Sequence, residues 1–205
     1  MKAFALTLAL LLALPAGAQQ EDAARLEAEL TSGKAQVGIP FTLTDPQGRK
    51  RSLAGFKGKV VVLYFGFTYC PDVCPTDLLQ IARALQSLGP KARDVQVLFV
   101  TLDPDRDTPK LLAQYVRAFD KRILALRGSE AEARRIARAY KIYSARAPQP
   151  GGNYTIDHSA YTLLLDRDGR FHDYMPPGTP SGRMAVMIEE LVTATQETGT
   201  DPLFR

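Results

Sequence analysis

The sequence predicts an α/β fold on three observations. Residues 60–65 form an apolar run of strand length that is rich in β-branched and aromatic side chains. Residues 75–88 then carry apolar side chains at the three- and four-residue spacing of a helix, and Gly89-Pro90 ends that pattern. The only two cysteines of the chain, Cys70 and Cys74, lie between these two segments. A strand, a cysteine-bearing turn and a helix in this order are typical of the thioredoxin-like fold.

The remaining strands are predicted from the same kind of pattern. A hairpin around an Asp-Pro-Gln-Gly turn occupies residues 41–53, ahead of the central strands. Further strands are expected at residues 95–101, 161–166 and 171–175. Residues 144–153 contain two prolines and two glycines and predict an irregular loop.

Three further helices are predicted from their N-terminal signals. Thr108 is an N-cap residue followed by proline, and Ser129 forms a capping box with Glu132. Thr179 and Pro180 begin the last helix. Together with the strands, these helices make a three-layer α/β sandwich with an N-terminal β-hairpin extension.

The N-terminal segment has the organisation of an export signal. Lys2 precedes an apolar run at residues 3–14, and residues 16–18 have the small-x-small form of a cleavage site. The run is shorter than the roughly 20 residues that span a bilayer, and an uncleaved signal anchor is the alternative. We therefore divide the chain into a signal peptide (residues 1–18), a tether (19–36), one thioredoxin-like domain (37–195) and a flexible tail (196–205). Such a protein is exported, to the periplasm or the outer face of the cytoplasmic membrane.

Composition narrows the classes of partner. With 205 residues, of which 45% are hydrophobic, the chain can bury a sizeable core as one domain, and we expect a monomer. The net charge of +4 is a mild excess that favours an acidic partner surface. Because no basic stripe interleaved with aromatic residues is present, nucleic-acid binding is not expected.

The two cysteines sit where their chemistry is favoured. We predict Cys74 at the N-cap and Pro75 at the first helical position, and the positive end of a helix dipole lowers a thiol pKa. Core filling or a structural disulfide are the alternatives. In an oxidising compartment the pair would close to a disulfide unless an exported reductant keeps it reduced.

Of the two histidines, His158 is the candidate partner of these thiols. His172 lies in a predicted hairpin strand, where alternation points it to solvent. His158 enters a predicted strand whose preceding loop, in a thioredoxin-like sheet, lies beside the cysteine turn. Two thiolates and an imidazole suit Cu(I), and Cu(II) is the alternative oxidation state. The same ligands also suit zinc, but structural zinc usually takes four protein ligands. Asp157 is a candidate to orient the imidazole ring.

Three motifs carry a family resemblance. The segments at residues 68–75, 103–109 and 157–159 occur in the order and approximate spacing of the Sco family, and the resemblance runs from about residue 37 to residue 192. That family consists of thioredoxin-fold copper proteins that assist assembly of the binuclear copper site of cytochrome c oxidase. The resemblance implies that Cys70, Cys74 and His158 are copper ligands and that Asp103 lies near the site. Many members carry a full transmembrane anchor, whereas this chain shows a segment of signal-peptide length.

The resemblance implies a copper metallochaperone whose partners are the copper domain of oxidase subunit II, an exported thiol reductant and another copper carrier. An exported thiol–disulfide oxidoreductase, with Cys70 and Cys74 as its redox-active pair, is the main alternative. Redox cycling would not require His158, and both activities are compatible in one protein. A peroxiredoxin and a purely structural thioredoxin-like adaptor are more distant alternatives.

We expect cleavage after Ala18, because small residues occupy positions 16–18. The intact mass of protein purified from its native host should then correspond to residues 19–205. A mass that includes residues 1–18 would favour the anchor interpretation.

Overall fold

A computed structural model of the chain describes residues 37–197. The predicted signal peptide and tether, and residues 198–205 of the predicted tail, lie outside the described residues. The described part contains nine strands and four α-helices: β1 (Thr42–Thr44), β2 (Lys50–Ser52), β3 (Val60–Gly66), α1 (Val73–Ser87), β4 (Val95–Thr101), α2 (Pro109–Phe119), β5 (Ile123–Leu126), α3 (Glu130–Ala139), β6 (Ser144–Pro148), β7 (Tyr154–His158), β8 (Thr162–Leu165), β9 (Phe171–Met175) and α4 (Ser181–Glu197).

A five-stranded mixed sheet forms the centre of the domain, in the order β5-β4-β3-β8-β9. Strands β3, β4 and β5 run parallel, whereas β8 pairs antiparallel with β3 and β9 pairs antiparallel with β8. All seven residues of β3 are buried, which agrees with its unbroken apolar sequence. A central sheet flanked by helices confirms the predicted thioredoxin-like fold.

The helices pack around the central sheet, and α2 and α3 begin at their predicted caps. Helix α1 packs against α4, which also contacts β3, and α2 lies against β5. Thr108 caps α2 through its side chain, with Pro109 as the first helical residue. Ser129 and Glu132 form the predicted capping box of α3. These local signals were readable because each one satisfies backbone N–H groups at its own helix end.

The predicted N-terminal hairpin is confirmed, and its turn is organised by one carboxylate. Asp45 is buried and accepts hydrogen bonds from the backbone N–H groups of Gln47 and Arg49. The side chains of Arg49 and Arg51 each lie 2.8 Å from its second oxygen. Burial alone would raise the pKa of Asp45, but these hydrogen bonds outweigh it and lower the pKa to about 2.

The prediction of an irregular loop at residues 144–153 is wrong. Strand β6 occupies the first half of this segment and pairs antiparallel with β7. Residues 149–153, which include a short 3-10 turn at Pro150–Gly152, connect the two strands. The sequence of β6, Ser-Ala-Arg-Ala-Pro, has little intrinsic strand preference. Its conformation depends on pairing with β7, a contact that a local pattern does not reveal.

Within residues 37–197, no helix combines the length and the apolar character that crossing a bilayer requires.

Candidate thiol and imidazole site

The site begins where the central strand ends. Strand β3 stops at Gly66, a turn follows, and α1 starts at Val73. Cys70 lies in the turn with 9% of its surface exposed, and its N–H donates to the Phe67 carbonyl at 3.3 Å. Cys74 lies in the first turn of α1 and is fully buried. One thiol is therefore at the edge of the site and the other is inside it.

The predicted helix start was two residues too late. Asp72 occupies the N-cap, without a side-chain hydrogen bond, and Cys74 is the second helical residue. Pro75 is then the third helical residue. Because the first N–H groups of a helix have no intrahelical partner, a proline at this position removes no hydrogen bond.

Gly66 permits the close approach of the buried thiol to the strand. A Cβ atom at this position would lie 2.8 Å from Cys74 Sγ and 3.0 Å from the Phe99 ring. Both separations are shorter than van der Waals contact allows. Any side chain at position 66 would therefore displace the sulfur or the ring, and the glycine at the end of β3 is the signal that sequence reasoning overlooked.

The two thiols lie close together, and their pKa values are shifted in opposite directions. The Cys74 backbone N–H donates to Cys70 Sγ at 3.4 Å. The interaction with the Cys74 thiol lowers the pKa of Cys70, and backbone N–H groups at the start of α1 lower it further. Together they outweigh burial, which raises the pKa, and the result is a pKa of about 6. The interaction with Cys70 and burial raise the pKa of Cys74. Both cysteines are free. The lowered pKa of Cys70 favours its thiolate at neutral pH, and the raised pKa of Cys74 favours the protonated thiol.

His158 reaches this pair from the end of β7. Its Nε2 lies 3.7 Å from Cys74 Sγ, and its Nδ1 lies 3.4 Å from the Ile156 carbonyl oxygen. Because a carbonyl only accepts hydrogen bonds, this contact assigns the proton to Nδ1 and leaves the Nε2 lone pair toward the thiol. Burial lowers the pKa of His158 and favours the neutral ring. The ring also packs edge-on against Phe67, with centroids 5.7 Å apart.

The structure therefore brings together the three side chains singled out from the sequence. His172 is exposed on β9, as predicted. Asp157 is exposed as well, and the Ile156 carbonyl rather than the Asp157 carboxylate contacts Nδ1 of the imidazole.

The spacing of the donors is compatible with a shared soft metal ion. Metal–sulfur and metal–nitrogen bonds are about 2.3 and 2.0 Å in zinc sites, so two donors on one such ion lie at most about 4.3 Å apart. The 3.7 Å between Cys74 Sγ and His158 Nε2 falls below that limit. Among residues 37–197, no three Cys, His, Asp or Glu side chains already form a closed set of ligands. Binding through all three donors therefore requires a side-chain adjustment.

Sequence reasoning missed a buried polar pair next to Cys74, formed by Tyr64 of β3 and Asp77 of α1. The Tyr64 hydroxyl donates to Asp77 at 3.2 Å, and the Gly178 N–H donates to the other oxygen of Asp77 at 2.9 Å. Asp77 is the fifth residue of α1 and is buried. Burial raises the pKa of Asp77. This carboxyl ties α1 to the loop before α4.

A second buried carboxyl anchors the turn that carries Cys70. Asp107 is fully buried and accepts the Thr68 hydroxyl at 2.5 Å and the Thr68 backbone N–H at 3.2 Å. The Thr101 hydroxyl, at the end of β4, donates to the same carboxyl. Burial raises the pKa of Asp107 despite these donors. The motif at residues 103–109 follows β4, the strand next to β3. Through Asp107 this segment is hydrogen-bonded to the turn that carries Cys70.

The family model and the similar proteins of known name all belong to the same group of proteins. Residues 29–193 match the family described as SCO1/SenC. The chain is 42% identical over 137 residues to the bovine mitochondrial protein SCO2 homolog, covering 65% of this chain and 52% of that protein. It is 35% identical over 196 residues to the human mitochondrial protein SCO1 homolog, covering 91% of this chain and 65% of that protein. The chain thus spans about half to two thirds of the length of these relatives.

Solved structures of similar proteins agree in fold. The structure of Bradyrhizobium japonicum ScoI with copper bound matches with a TM-score of 0.70 and 37% identity, covering 76% of this chain and 99% of that one. The solution structure of apo Sco1 from Thermus thermophilus matches with a TM-score of 0.70 and 36% identity, covering 77% of this chain and 93% of that one.

The pKa of about 6 for Cys70 predicts how its alkylation depends on pH. The rate for the reduced protein should rise with pH and reach half its maximum near pH 6, because the thiolate is the reacting form. In Cys74→Ala, which removes the donor thiol, the midpoint should move toward about 8.5. Iodoacetamide kinetics with mass-spectrometric assignment measure both. A midpoint near 8.5 in the unchanged protein would contradict the proposed hydrogen bond.

Gly66→Ala should destabilise the domain by about 1–3 kcal/mol, because an added methyl group overpacks the core against Cys74 Sγ. Gly55→Ala is the matched control, since a Cβ there meets the Ser52 hydroxyl at an ordinary 3.5 Å. Urea unfolding of the two variants measures the difference. Equal effects would show that the approach of the sulfur does not require glycine at position 66.

Proposed function

The chain belongs to the SCO1/SenC family, and from that premise we propose that it is a copper metallochaperone that assists assembly of the binuclear copper site of cytochrome c oxidase subunit II. The observation that carries the proposal is the convergence of one imidazole and two free thiols, with Cys74 Sγ 3.7 Å from His158 Nε2. Relatives more than 30% identical to this chain have been solved with copper bound, from Bradyrhizobium japonicum and from yeast.

The proposed copper ligands are Cys70, Cys74 and His158. Thiolate and imidazole donors suit Cu(I), the state that we favour over Cu(II). A ligand must give up its proton before it binds, and the lowered pKa of Cys70 and the neutral His158 ring meet that requirement at pH 7. Cys74 would lose its proton on binding. Copper is the cargo of such a protein, so release to a partner matters as much as capture.

A second function is favoured by the thiol pair itself. Cys70 combines a lowered pKa with partial exposure, and the hydrogen-bonded Cys74 lies behind it, as in a nucleophilic thiol with a resolving partner. The alternative is therefore an exported thiol–disulfide oxidoreductase that reduces the cysteines of the same oxidase site. Cys70 and Cys74 would then be its catalytic residues. Reduction of the target before insertion of copper would unite both functions.

Either function requires partners outside this chain. We propose the copper domain of oxidase subunit II as the target and a second copper carrier as the donor. An exported thiol reductant would keep Cys70 and Cys74 reduced, because an oxidising compartment favours their disulfide. The proposed location is the periplasm or the outer face of the cytoplasmic membrane.

The role of His158 separates the two functions. His158→Ala should weaken Cu(I) binding by more than about tenfold, since it removes a ligand, while Cys70 and Cys74 still cycle between thiol and disulfide. His172→Ala is the matched control, because that histidine is exposed on β9. Cys74→Ser should abolish both activities. Chelator competition measures the affinity, and X-ray absorption should show two sulfur neighbours and one nitrogen neighbour in the unchanged protein.

Transfer to the target gives the functional readout. A subunit II copper domain whose own thiols have been reduced in advance should acquire copper from the unchanged protein but not from loaded His158→Ala. Equal function of both proteins, once copper is supplied separately, would assign the chain to the reductase role. A spectrum without sulfur neighbours would exclude the proposed ligand set.

A further inference from the structure

The hairpin that carries His158 is not part of the main sheet. Among residues 37–197, strands β6 and β7 pair with each other and with no other strand, as a separate two-stranded sheet. No backbone ladder within this part of the chain therefore fixes the distance between β7 and the cysteine turn. That distance depends instead on side-chain contacts between the hairpin and the loop after β4.

Arg106 makes the most extensive of these contacts. Its guanidinium lies over the Tyr154 ring, 3.8 Å from the centroid, and its Nη1 donates to the Tyr154 carbonyl at 2.8 Å. Nη1 also lies 3.2 Å from the Asn153 side-chain oxygen. Arg106 thus holds both the ring and the backbone at the start of β7.

Asp103 fixes the guanidinium in this position. Its fully buried carboxylate pairs with Arg106 Nε and accepts the Tyr154 hydroxyl at 2.8 Å. Arginine, carboxylate and tyrosine therefore form a closed set of contacts between the loop after β4 and the hairpin. A planar guanidinium suits this arrangement because it can stack on a ring and donate in its own plane at once.

The same guanidinium also reaches the cysteine turn. It lies 4.9 Å from the centroid of Tyr69, which is 58% exposed and directly precedes Cys70. Arg106 Nη2 is buried and has no hydrogen-bond acceptor among the described residues, which costs desolvation free energy. Attraction of the guanidinium to the faces of the Tyr69 and Tyr154 rings offsets part of this cost. Arg106 therefore contacts the segments on both sides of the site.

We propose that Arg106 is a positioning residue, which clasps the β6–β7 hairpin to the cysteine turn and thereby keeps His158 within reach of Cys74. Tyr154 and His158 are four residues apart on one strand, so their side chains lie on the same face of β7. Holding the ring of Tyr154 orients that face toward the thiols. The effect on copper rests on the proposed function, whereas the effect on the hairpin does not.

Hydrogen exchange of the metal-free full chain tests the clasp directly. Arg106→Met keeps the apolar stem but removes the stacking, the ion pair and both donated hydrogen bonds. It should raise the exchange rates of β6 and β7 amides by about tenfold and leave those of α1 unchanged. Arg170→Met is the matched control, because it removes an exposed ion pair with Asp168 in the β8–β9 turn. Unchanged hairpin exchange in Arg106→Met would overturn the proposal.

A double-mutant cycle separates positioning from general stability. Arg106→Met should weaken Cu(I) binding by about tenfold, the lower end of the cost of losing an outer-shell partner. It should have no further effect in the His158→Ala background, since no imidazole remains to be positioned. Equal weakening in both backgrounds would show that Arg106 acts on the fold and not through His158. If the unchanged protein does not bind copper, the proposed function fails, and hydrogen exchange still decides the clasp.

A milder variant serves if Arg106→Met does not fold. Tyr154→Phe keeps the aromatic ring and removes only the hydroxyl that donates to Asp103. It should loosen the hairpin in the same direction, by a smaller factor, and should lower the nitrogen contribution in the X-ray absorption spectrum of the copper form. Wild-type exchange and an unchanged spectrum would count against the clasp.

Discussion

The contact between Cys74 and the end of β3 is the constraint on which the site depends. The central strand is buried along its whole length, and it ends in a glycine because the sulfur occupies the space of a side chain. This packing fixes the first turn of α1 relative to the sheet. Tyr64, two residues before Gly66, joins the same helix through Asp77. The thiol is therefore held by the core of the protein and not by a flexible loop.

The two thiols are both buried, Cys70 with 9% of its surface exposed and Cys74 with none, and they differ in acidity. Cys70 Sγ accepts the backbone N–H of Cys74, and its pKa is lowered whereas that of Cys74 is raised, so Cys70 is the stronger acid of the two. Cys74 keeps its proton and faces the lone pair of His158. A soft cation or an electrophilic sulfur would meet the thiolate of Cys70 first. This order of events is common to both proposed functions, which differ in whether His158 is required.

The imidazole is attached to the site in a different way from the thiols. The cysteines belong to elements that are continuous with the main sheet, whereas His158 ends a hairpin that pairs only with itself. Contacts of Arg106, Asp103 and Tyr154 replace the missing backbone ladder. An imidazole on such an element can move without disturbing the core. That property suits the proposed chaperone function, in which copper is released to a partner.

Local signals in the sequence predicted four of the five strands of the main sheet, β3, β4, β8 and β9, but not β5. They also predicted the helix caps at Thr108 and Ser129 and the importance of Cys70 and Cys74. Each depends on residues that are close together in the chain, so a pattern reveals it. Only the tertiary structure decided that residues 144–148 form a strand and that α1 begins at Val73. It also decided the close approach of His158, 84 residues from Cys74 in the sequence, to that thiol. The physical reason is that pairing, burial and side-chain clasps join distant segments, and no local preference encodes which segments will meet.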